Sequence, residues 1–387
     1  MEFATSNRKQ VKVASLDDYK KATYAIIDVF RRHVDTGMTF ETPVIELKET
    51  FKKIYGEDYS KFIQDSDDLV NEDGKELCVQ QYDLVVPFAR YVGRNCLKSF
   101  KAYQLGIVYR DNEKYYQCSV DFAGDEAISA EVHVVYILKK VLDGLDMGDY
   151  KIKLNHKKLL DGMLVISGVP RHKFRTVCSC IDKLQDNHSL DQIKKELMED
   201  EGLDVETVKK IGWFLSLRGP PSVVFSRIRK RYGRFKSAAS LMQVLKLLEK
   251  TFRVLDLFRL TNKVFLDLSL SLSRRPDYYT GMIYEAVLKW GTTQEEVVSI
   301  ASGGRYDNLI GMFGSKPVTA VGVTFEIEYV YRILEKDFDY LGKVDAKSSS
   351  RDLKPENNTA VKNNKSKPPV DKKGDGRKLS PPENASV

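Results

Sequence analysis

The chain has 387 residues, 42% of them hydrophobic, and a formal net charge of +7. That length supports two ordinary domains, or one large domain with a tail, and the composition supplies a full core. No run of about 18 apolar residues occurs, which excludes an apolar membrane-spanning helix. The N-terminal stretch MEFATSNRKQVKV has no apolar signal core. The expected setting is therefore cytoplasmic, with a short mitochondrial presequence as the other option. The charge is uneven. From Gly342 to Val387 there are eleven Lys/Arg against six Asp/Glu, so this segment carries +5 and leaves +2 on the body. By net charge the body is not a nucleic-acid surface, and any weak RNA contact is expected from the tail. Residues 342–387 also lack aromatic residues, and they are expected to be disordered. The five cysteines form no C-x-x-C pair and no zinc spacing with the five histidines. Reduced, mostly buried thiols and no metal site are expected.

The elements of the body read as α+β. Ser15 with Asp18 suggests a loose capping box, and Ile26, Ile27, Phe30 and Val34 give one apolar helical face. TFETPVIEL reads as an extended stretch in which Pro43 favours an edge or an interface. Strand-like pieces follow around Leu77 to Val86, with a helix from Pro87 onward. LGIVYRDNEKYYQCSVDFAG reads as a tight hairpin turning at Asp111-Asn112. In its returning strand Gln117, Ser119 and Asp121 share one face, and Cys118, Val120 and Phe122 the other.

From about His156 to Phe252 the pattern is helical, with Ser189 and Gln192 as a capping box and Gly202 as a stop. Strands resume at KVFLDLSLSLS, GMIYEAVLKW and EEVVSIAS. Gly303-Gly304 are expected to let a turn approach a ligand, with a helix starting near Tyr306. VTAVGVTF is one more strand, leading into a helix with Ile327, Val330, Tyr331 and Leu334 on one face. The sum is an open, mostly antiparallel sheet with helices on one side. The expected boundaries are an extension over 1–14, a core over 15–155 and 256–341, a helical insertion over 156–255 and the tail over 342–387.

Polar residues gather at strand ends in four separated places: Asp83; Arg110 with Gln117 and Asp121; Arg274 with Tyr278 and Tyr279; and Arg305 with Tyr306. No nucleophile–base dyad, P-loop or GxGxxG is present. The set offers carboxylates for an ammonium, arginines for a carboxylate or phosphate, and phenols for a polar ring. That chemistry suits a charged amino acid.

YDLVVPFARY, VYRDN…YYQCSVDFAG, RRPDYYTGMIYEAVL and ASGGRYDNLIGMF, together with TFETPVIELKETF and YKIKLNHKKLLDGMLVISGV, closely resemble the catalytic core of eukaryotic histidyl-tRNA synthetases. The resemblance runs from about residue 16 to 340. It implies a class II synthetase fold, with a six-stranded antiparallel sheet flanked by helices and a helical insertion domain. It also implies a dimer formed through the segment resembling TFETPVIEL, either with itself or with an authentic synthetase. Carried over position by position, Asp83, Gln117 and Asp121 would hold the ammonium and imidazole of histidine, and Tyr279 and Tyr306 would line the pocket. Arg274 would approach the α-phosphate and carboxylate, with Arg110 as the second ATP contact. No permanently bound cofactor is implied. ATP and Mg enter only with an active ligase.

Several positions depart from the family. The signature helix G-x-x-x-G-x-E-R reads GVTFEIEY, which puts Glu326 in place of a glycine and Tyr329 in place of the arginine that clamps the γ-phosphate. A carboxylate repels a triphosphate, and a phenol does not replace a cation. Arg332 lies one helical turn after Tyr329, from where a guanidinium could reach back. The hairpin is shorter than the family's ATP-ordering loop. Val85 replaces a threonine of the histidine pocket, Arg275-Pro276 replace Gly-Leu, and VKVASLDDY stands for PKGTRDY. The tail stands where an anticodon-binding domain would begin, which leaves tRNA engagement doubtful. Losing one preorganised donor to transition-state charge typically costs roughly 10²–10³ in rate. The expectation is a histidine-binding or regulatory homologue with impaired catalysis. An active histidine–tRNA ligase and a structural dimer partner are the alternatives.

Overall fold

The computed structural model describes residues 16–34, 45–55, 69–70, 76–110, 113–125, 127–186, 188–269, 278–289 and 297–335. The chain opens with α1 (Leu16–Phe30), β1 (Ile45–Leu47), α2 (Lys48–Tyr55), β2 (Leu69–Val70), β3 (Glu76–Gln80) and α3 (Val85–Arg94). The hairpin β4 (Phe100–Arg110) and β5 (Glu113–Ala123) follows, then α4 (Ala127–Leu145) and β6 (Tyr150–His156). A helical segment then holds α5 (Lys157–Ser167), α6 (Phe174–Asp182), α7 (Leu190–Glu199) and α8 (Val205–Leu215), the short β7 (Arg218–Gly219), α9 (Pro221–Tyr232) and α10 (Ala239–Leu257). The chain returns to the sheet with β8 (Val264–Asp267), β9 (Met282–Lys289), β10 (Val297–Arg305) and β11 (Ala320–Glu326), and α11 (Ile327–Leu334) follows directly.

The main sheet has eight strands in the order β4-β5-β11-β10-β9-β6-β8-β7, and β1-β3-β2 form a separate three-stranded sheet. Every pair in the main sheet is antiparallel except β6 with β8. The sheet is thus larger than the six antiparallel strands the resemblance implies. The parallel pair has a plain cause: β8 re-enters after a long helical crossover, the connection that parallel pairing needs.

The alternation along β5 divides the sheet into two unlike faces. Cys118, Val120 and Phe122 point to the side covered by α1, α4 and α11, with Tyr103 of β4 and Val321, Val323 and Phe325 of β11, and all are essentially buried. Phe30 packs its ring on both Tyr103 and Phe325, so the apolar stripe of α1 seats on this face as its spacing predicts. Ile26, Ile27 and Val34 are buried with it.

The other face is not bare. α3 lies over its end with Val85, Phe88, Ala89 and Val92 in a second core that includes Ala102, Tyr278, Tyr279 and Tyr306. Helices therefore sit on both sides, not on one.

Other local expectations are corrected by side-chain chemistry. α3 begins at Val85, two residues before Pro87, because Asp83 Oδ1 accepts from the Val86 N–H at 3.0 Å and satisfies a free helix donor. β8 stops at Asp267 and Leu268–Ser269 form a turn, while residues 270–273 of the expected strand lie outside the described residues. At that turn the Asp267 carboxylate accepts from both the N–H (3.0 Å) and the hydroxyl (2.6 Å) of Ser269, which bends the chain. No α-helix starts near Tyr306. A single 3-10 turn, Ile310–Met312, follows instead. This turn presses on α3 where Gly93 and Gly314 meet backbone to backbone, and a Cβ on Gly314 would lie 2.8 Å from the Gly93 carbonyl oxygen.

The helical segment keeps its predicted caps. Ser189 and Gln192 form a reciprocal capping box on α7, and Gly202 adopts a left-handed φ of 61° after it. The Ser15–Asp18 box, Pro43 and the Asp111-Asn112 turn lie outside the described residues.

Candidate ligand-binding site

On the face opposite α1 and α4, β5 presents Gln117, Ser119 and Asp121, all almost fully buried. The register brings Glu326, Thr324 and Gly322 of β11 opposite them on one side, and Gly106, Gln104 and Ala102 of β4 on the other. Gly304 of β10 pairs with Gly322, and Ser302 with Thr324. A continuous polar surface thus crosses the centre of the sheet.

Three glycines make room for the larger groups. A Cβ on Gly322 would lie 1.8 Å from Asp121 Oδ1, so the carboxylate rests directly on the β11 backbone. A Cβ on Gly304 would lie 2.6 Å from the Tyr279 ring, and one on Gly303 2.1 Å from the Gly322 carbonyl oxygen. Gly303 and Gly304 are therefore strand residues of β10, not a turn. They are glycine because aromatic rings and a neighbouring strand occupy the space a side chain would take.

Asp121 is the centre of the arrangement. Its Oδ1 accepts from the Tyr306 hydroxyl at 2.6 Å. Burial pushes its carboxyl up to about 7, the Tyr306 hydrogen bond opposes the shift, and the charge of Asp83 adds to it. Burial, with Asp121 beside it, also holds the Tyr306 phenol neutral. Tyr306 is braced from behind. Its N–H donates to the Ala320 carbonyl at 2.7 Å, and Asp307 Oδ1 accepts from the Ala320 N–H at 3.1 Å.

Tyr278 packs against both Tyr279 (centroids 4.9 Å) and Tyr306 (5.9 Å), and its hydroxyl donates to Asp83 Oδ2 at 3.3 Å. Gln104 Nε2 donates to the Leu84 carbonyl at 3.0 Å and fastens the start of α3 to the sheet.

Gln117 lies at the other end of the polar face. Its Nε2 donates to Glu326 Oε1 at 2.8 Å. Glu326 is the last residue of β11 and the N-cap of α11, where a carboxylate is favoured by the free N–H groups of the first turn. Further along α11, Arg332 Nε donates to Glu328 Oε1 at 2.8 Å, with both side chains largely buried. Arg332 is thus committed to Glu328 along its own helix.

Among the described residues, Gln104 Oε1, Gln117 Oε1, Ser119 Oγ, Asp121 Oδ2 and Ser302 Oγ are buried without a hydrogen-bond partner. Ser119 lies near enough to Asp121 to lower its pKa, yet its hydroxyl completes no hydrogen bond of good geometry. Buried polar atoms are nearly always paired, and five on one sheet face mark a surface made to meet something else. Among the described residues no three His, Cys, Asp or Glu side chains converge as a metal-binding group.

Of the predicted site residues, Asp83, Asp121, Tyr279 and Tyr306 come together, with Gln117 on the same face. Tyr278, named in the strand-end constellation, joins them as expected. Gln104 and Ser302 also join, and they carry no local signal. Arg305 does not join: it alternates away from Gly304, pairs with Asp307 at 2.8 Å and lies by Glu131 of α4. Arg110 ends β4 opposite Glu113. The Arg110 side chain, and Arg274 to Pro276 altogether, lie outside the described residues. Val85 is buried in the first turn of α3, and Tyr329 packs beside the main core from α11.

This architecture is shared with solved structures. A histidyl-tRNA synthetase from Nostoc sp. PCC 7120 aligns with a TM-score of 0.67 over 82% of this chain and 72% of that one, at 24% identity. An ATP phosphoribosyltransferase regulatory subunit/histidyl-tRNA synthetase from Bacillus halodurans C aligns with a TM-score of 0.67 over 91% and 92%, at 18% identity. The fold is therefore the α+β core of the class II, histidyl-tRNA synthetase type.

Sequence takes the assignment further. Residues 94–330 match the family model for histidyl-tRNA synthetase. The chain is 50% identical over 319 residues to the cytoplasmic histidine–tRNA ligase of Oryza sativa subsp. japonica, covering 80% of this chain and 39% of that protein. It is 39% identical over 329 residues to the mitochondrial histidine–tRNA ligase of Homo sapiens, covering 80% and 62%. The chain belongs to the histidyl-tRNA synthetase family, and it spans well under half of the rice protein and under two thirds of the human one.

Proposed function

We propose that this chain is a histidine-binding member of the family in which adenylation is impaired, acting as a ligand-binding or regulatory homologue. The observation that carries the reading is the Glu326–Gln117 hydrogen bond. Where the family pattern leaves open space at a glycine, a carboxylate reaches into the polar face and engages one of the residues expected to hold the amino acid. Tyr329 stands in the place of the γ-phosphate arginine, and Arg332, the nearby cation, is tied to Glu328. The described residues thus suit a triphosphate poorly. A negative charge near the expected phosphate path raises the cost of binding one, and the compensating guanidinium is engaged elsewhere.

The amino-acid side of the site is better provided. Asp121 and Gln117 keep open acceptor atoms, and Tyr278, Tyr279 and Tyr306 form an aromatic wall. Arg110 and Arg274 are the proposed contacts to the carboxylate and to any nucleotide. A dimer through the segment around β1 and a cytoplasmic setting complete the proposal, with tRNA engaged weakly if at all. No described helix is long and apolar enough to cross a membrane.

The test is histidine-dependent ATP–pyrophosphate exchange by the purified chain, run beside calorimetry with histidine. The expected pair of results is heat of binding with negligible exchange. Exchange near the rate of an ordinary synthetase establishes the active ligase instead. Absence of both signals leaves the structural-partner reading.

A further inference from the structure

Gln117 has two faces to offer a ligand, an amide NH₂ and a carbonyl oxygen, and which one is available depends on what holds the other. A carboxylate only accepts hydrogen bonds, so the Gln117 atom facing Glu326 is the NH₂ group. This fixes an orientation that the shape of the side chain alone leaves open. The carbonyl oxygen is left buried and unpartnered. Four residues further along the strand, Asp121 has given Oδ1 to the Tyr306 hydroxyl, and its Oδ2 is likewise buried and unpartnered. Between them Ser119 offers a hydroxyl able to donate or accept. The Asp83 carboxylate is taken by the Val86 N–H and the Tyr278 hydroxyl. With Asp121 ionised, the form a cationic ligand favours, the open atoms on this strand face are acceptors apart from the Ser119 hydroxyl.

We propose that Glu326 is a specificity-determining residue that locks Gln117 with its carbonyl toward the ligand, so that the site selects a small amine carrying N–H donors and rejects ligands whose matching group is an acceptor or is absent. The inference rests on the histidine-binding reading above and adds a cause for selectivity within it. With a neutral or absent side chain at 326, the Gln117 amide is free to turn, and its NH₂ becomes available to acceptors. A hydrogen bond to a charged group is worth roughly 1.5–3 kcal/mol. By the tenfold-per-1.4 kcal/mol rule, freeing Gln117 should shrink the preference for the ammonium by about tenfold or more.

Calorimetry on the full chain uses L-histidine, histamine and imidazole-4-propionate, which separate the ammonium from the carboxylate. Wild type is expected to bind histidine and histamine and to discriminate against the propionate. E326Q and E326G are expected to reduce that discrimination by about tenfold. If wild type binds histidine but both variants keep its discrimination, the role of Glu326 is overturned and the histidine reading stands. If wild type binds neither histidine nor histamine, both fall. A measurement on wild type alone guards against a variant that does not fold. The side-chain amide protons of Gln117, observed by ¹⁵N NMR and assigned with Q117L, should exchange slowly and remain protected when histidine is added. Rapid exchange, or a change in the bonded group on binding, also overturns the proposal.

Discussion

Replacing Gly322 by alanine tests the way the site is built. The added methyl would sit 1.8 Å from Asp121 Oδ1 and 2.7 Å from its carboxyl carbon, with the Val120 carbonyl oxygen at 3.0 Å. Asp121 has no route to solvent, since it is wholly buried between β4, β11 and Tyr306. The methyl must therefore push the carboxylate off the Tyr306 hydroxyl or force β11 away from β5. Overpacking a close-packed interior costs typically 1–3 kcal/mol. Losing the Tyr306 hydrogen bond to a carboxyl that is partly ionised near neutral pH adds roughly 1–3 kcal/mol. The expected destabilisation is about 3–5 kcal/mol, read as a fall in the urea midpoint with the slope unchanged, together with loss of measurable histidine binding. Gly144 of α4 is the matched control. It is exposed, with nothing within 4 Å of an added methyl group, so G144A should be neutral or stabilise by up to about 1 kcal/mol. Destabilisation by G322A of less than about 1 kcal/mol, with histidine affinity intact, would refute the account of Asp121 resting on a bare backbone.

Three other outcomes follow from the same geometry. Asp121 is held near 7 against an ordinary 3.8, so its contribution to stability is complete below about pH 4, falls away as pH rises toward 7 and is flat above it, a change on the order of 4 kcal/mol. Urea titrations across that range should show D121N lacking this part of the slope, and equal slopes would reject the shift. Arg332→Ala should cost about 3 kcal/mol, because it leaves Glu328 largely buried without its cation. A thermal melt unchanged from wild type would place the pair in effective contact with water. Glu326→Gly combined with Tyr329→Arg should raise pyrophosphate exchange from its negligible level by on the order of 10²–10³, and no gain would locate the defect elsewhere, first in the short β4–β5 hairpin.

Much of this site was legible because alternation is a local signal. Gln117, Ser119 and Asp121 share a face in any extended strand, whatever lies beside it. What was not legible depended on partners distant in sequence. That Glu326 would meet Gln117 follows only from the β5–β11 register, which no short window of sequence contains. The reading of Gly303-Gly304 as a turn failed for the same reason: their smallness answers to Tyr279, Tyr284 and Gly322, not to their own φ angles. The alternation runs on through Leu268 and Ser269 past the end of β8, because pattern does not reveal that the Asp267 side chain will capture Ser269. Arg305 fell into the predicted constellation by its neighbours in sequence, yet a one-residue step in a strand turns it to the opposite side.

The register that joins Gln117 to Glu326 spans 209 positions of the chain. Contacts of such high sequence separation form late, after the β4–β5 hairpin and the individual helices, since loop closure must be completed before they contribute. The pocket should therefore be the last feature to appear on refolding. In a stopped-flow experiment, affinity for histidine should develop with the slowest phase, well after most of the helical circular dichroism has returned.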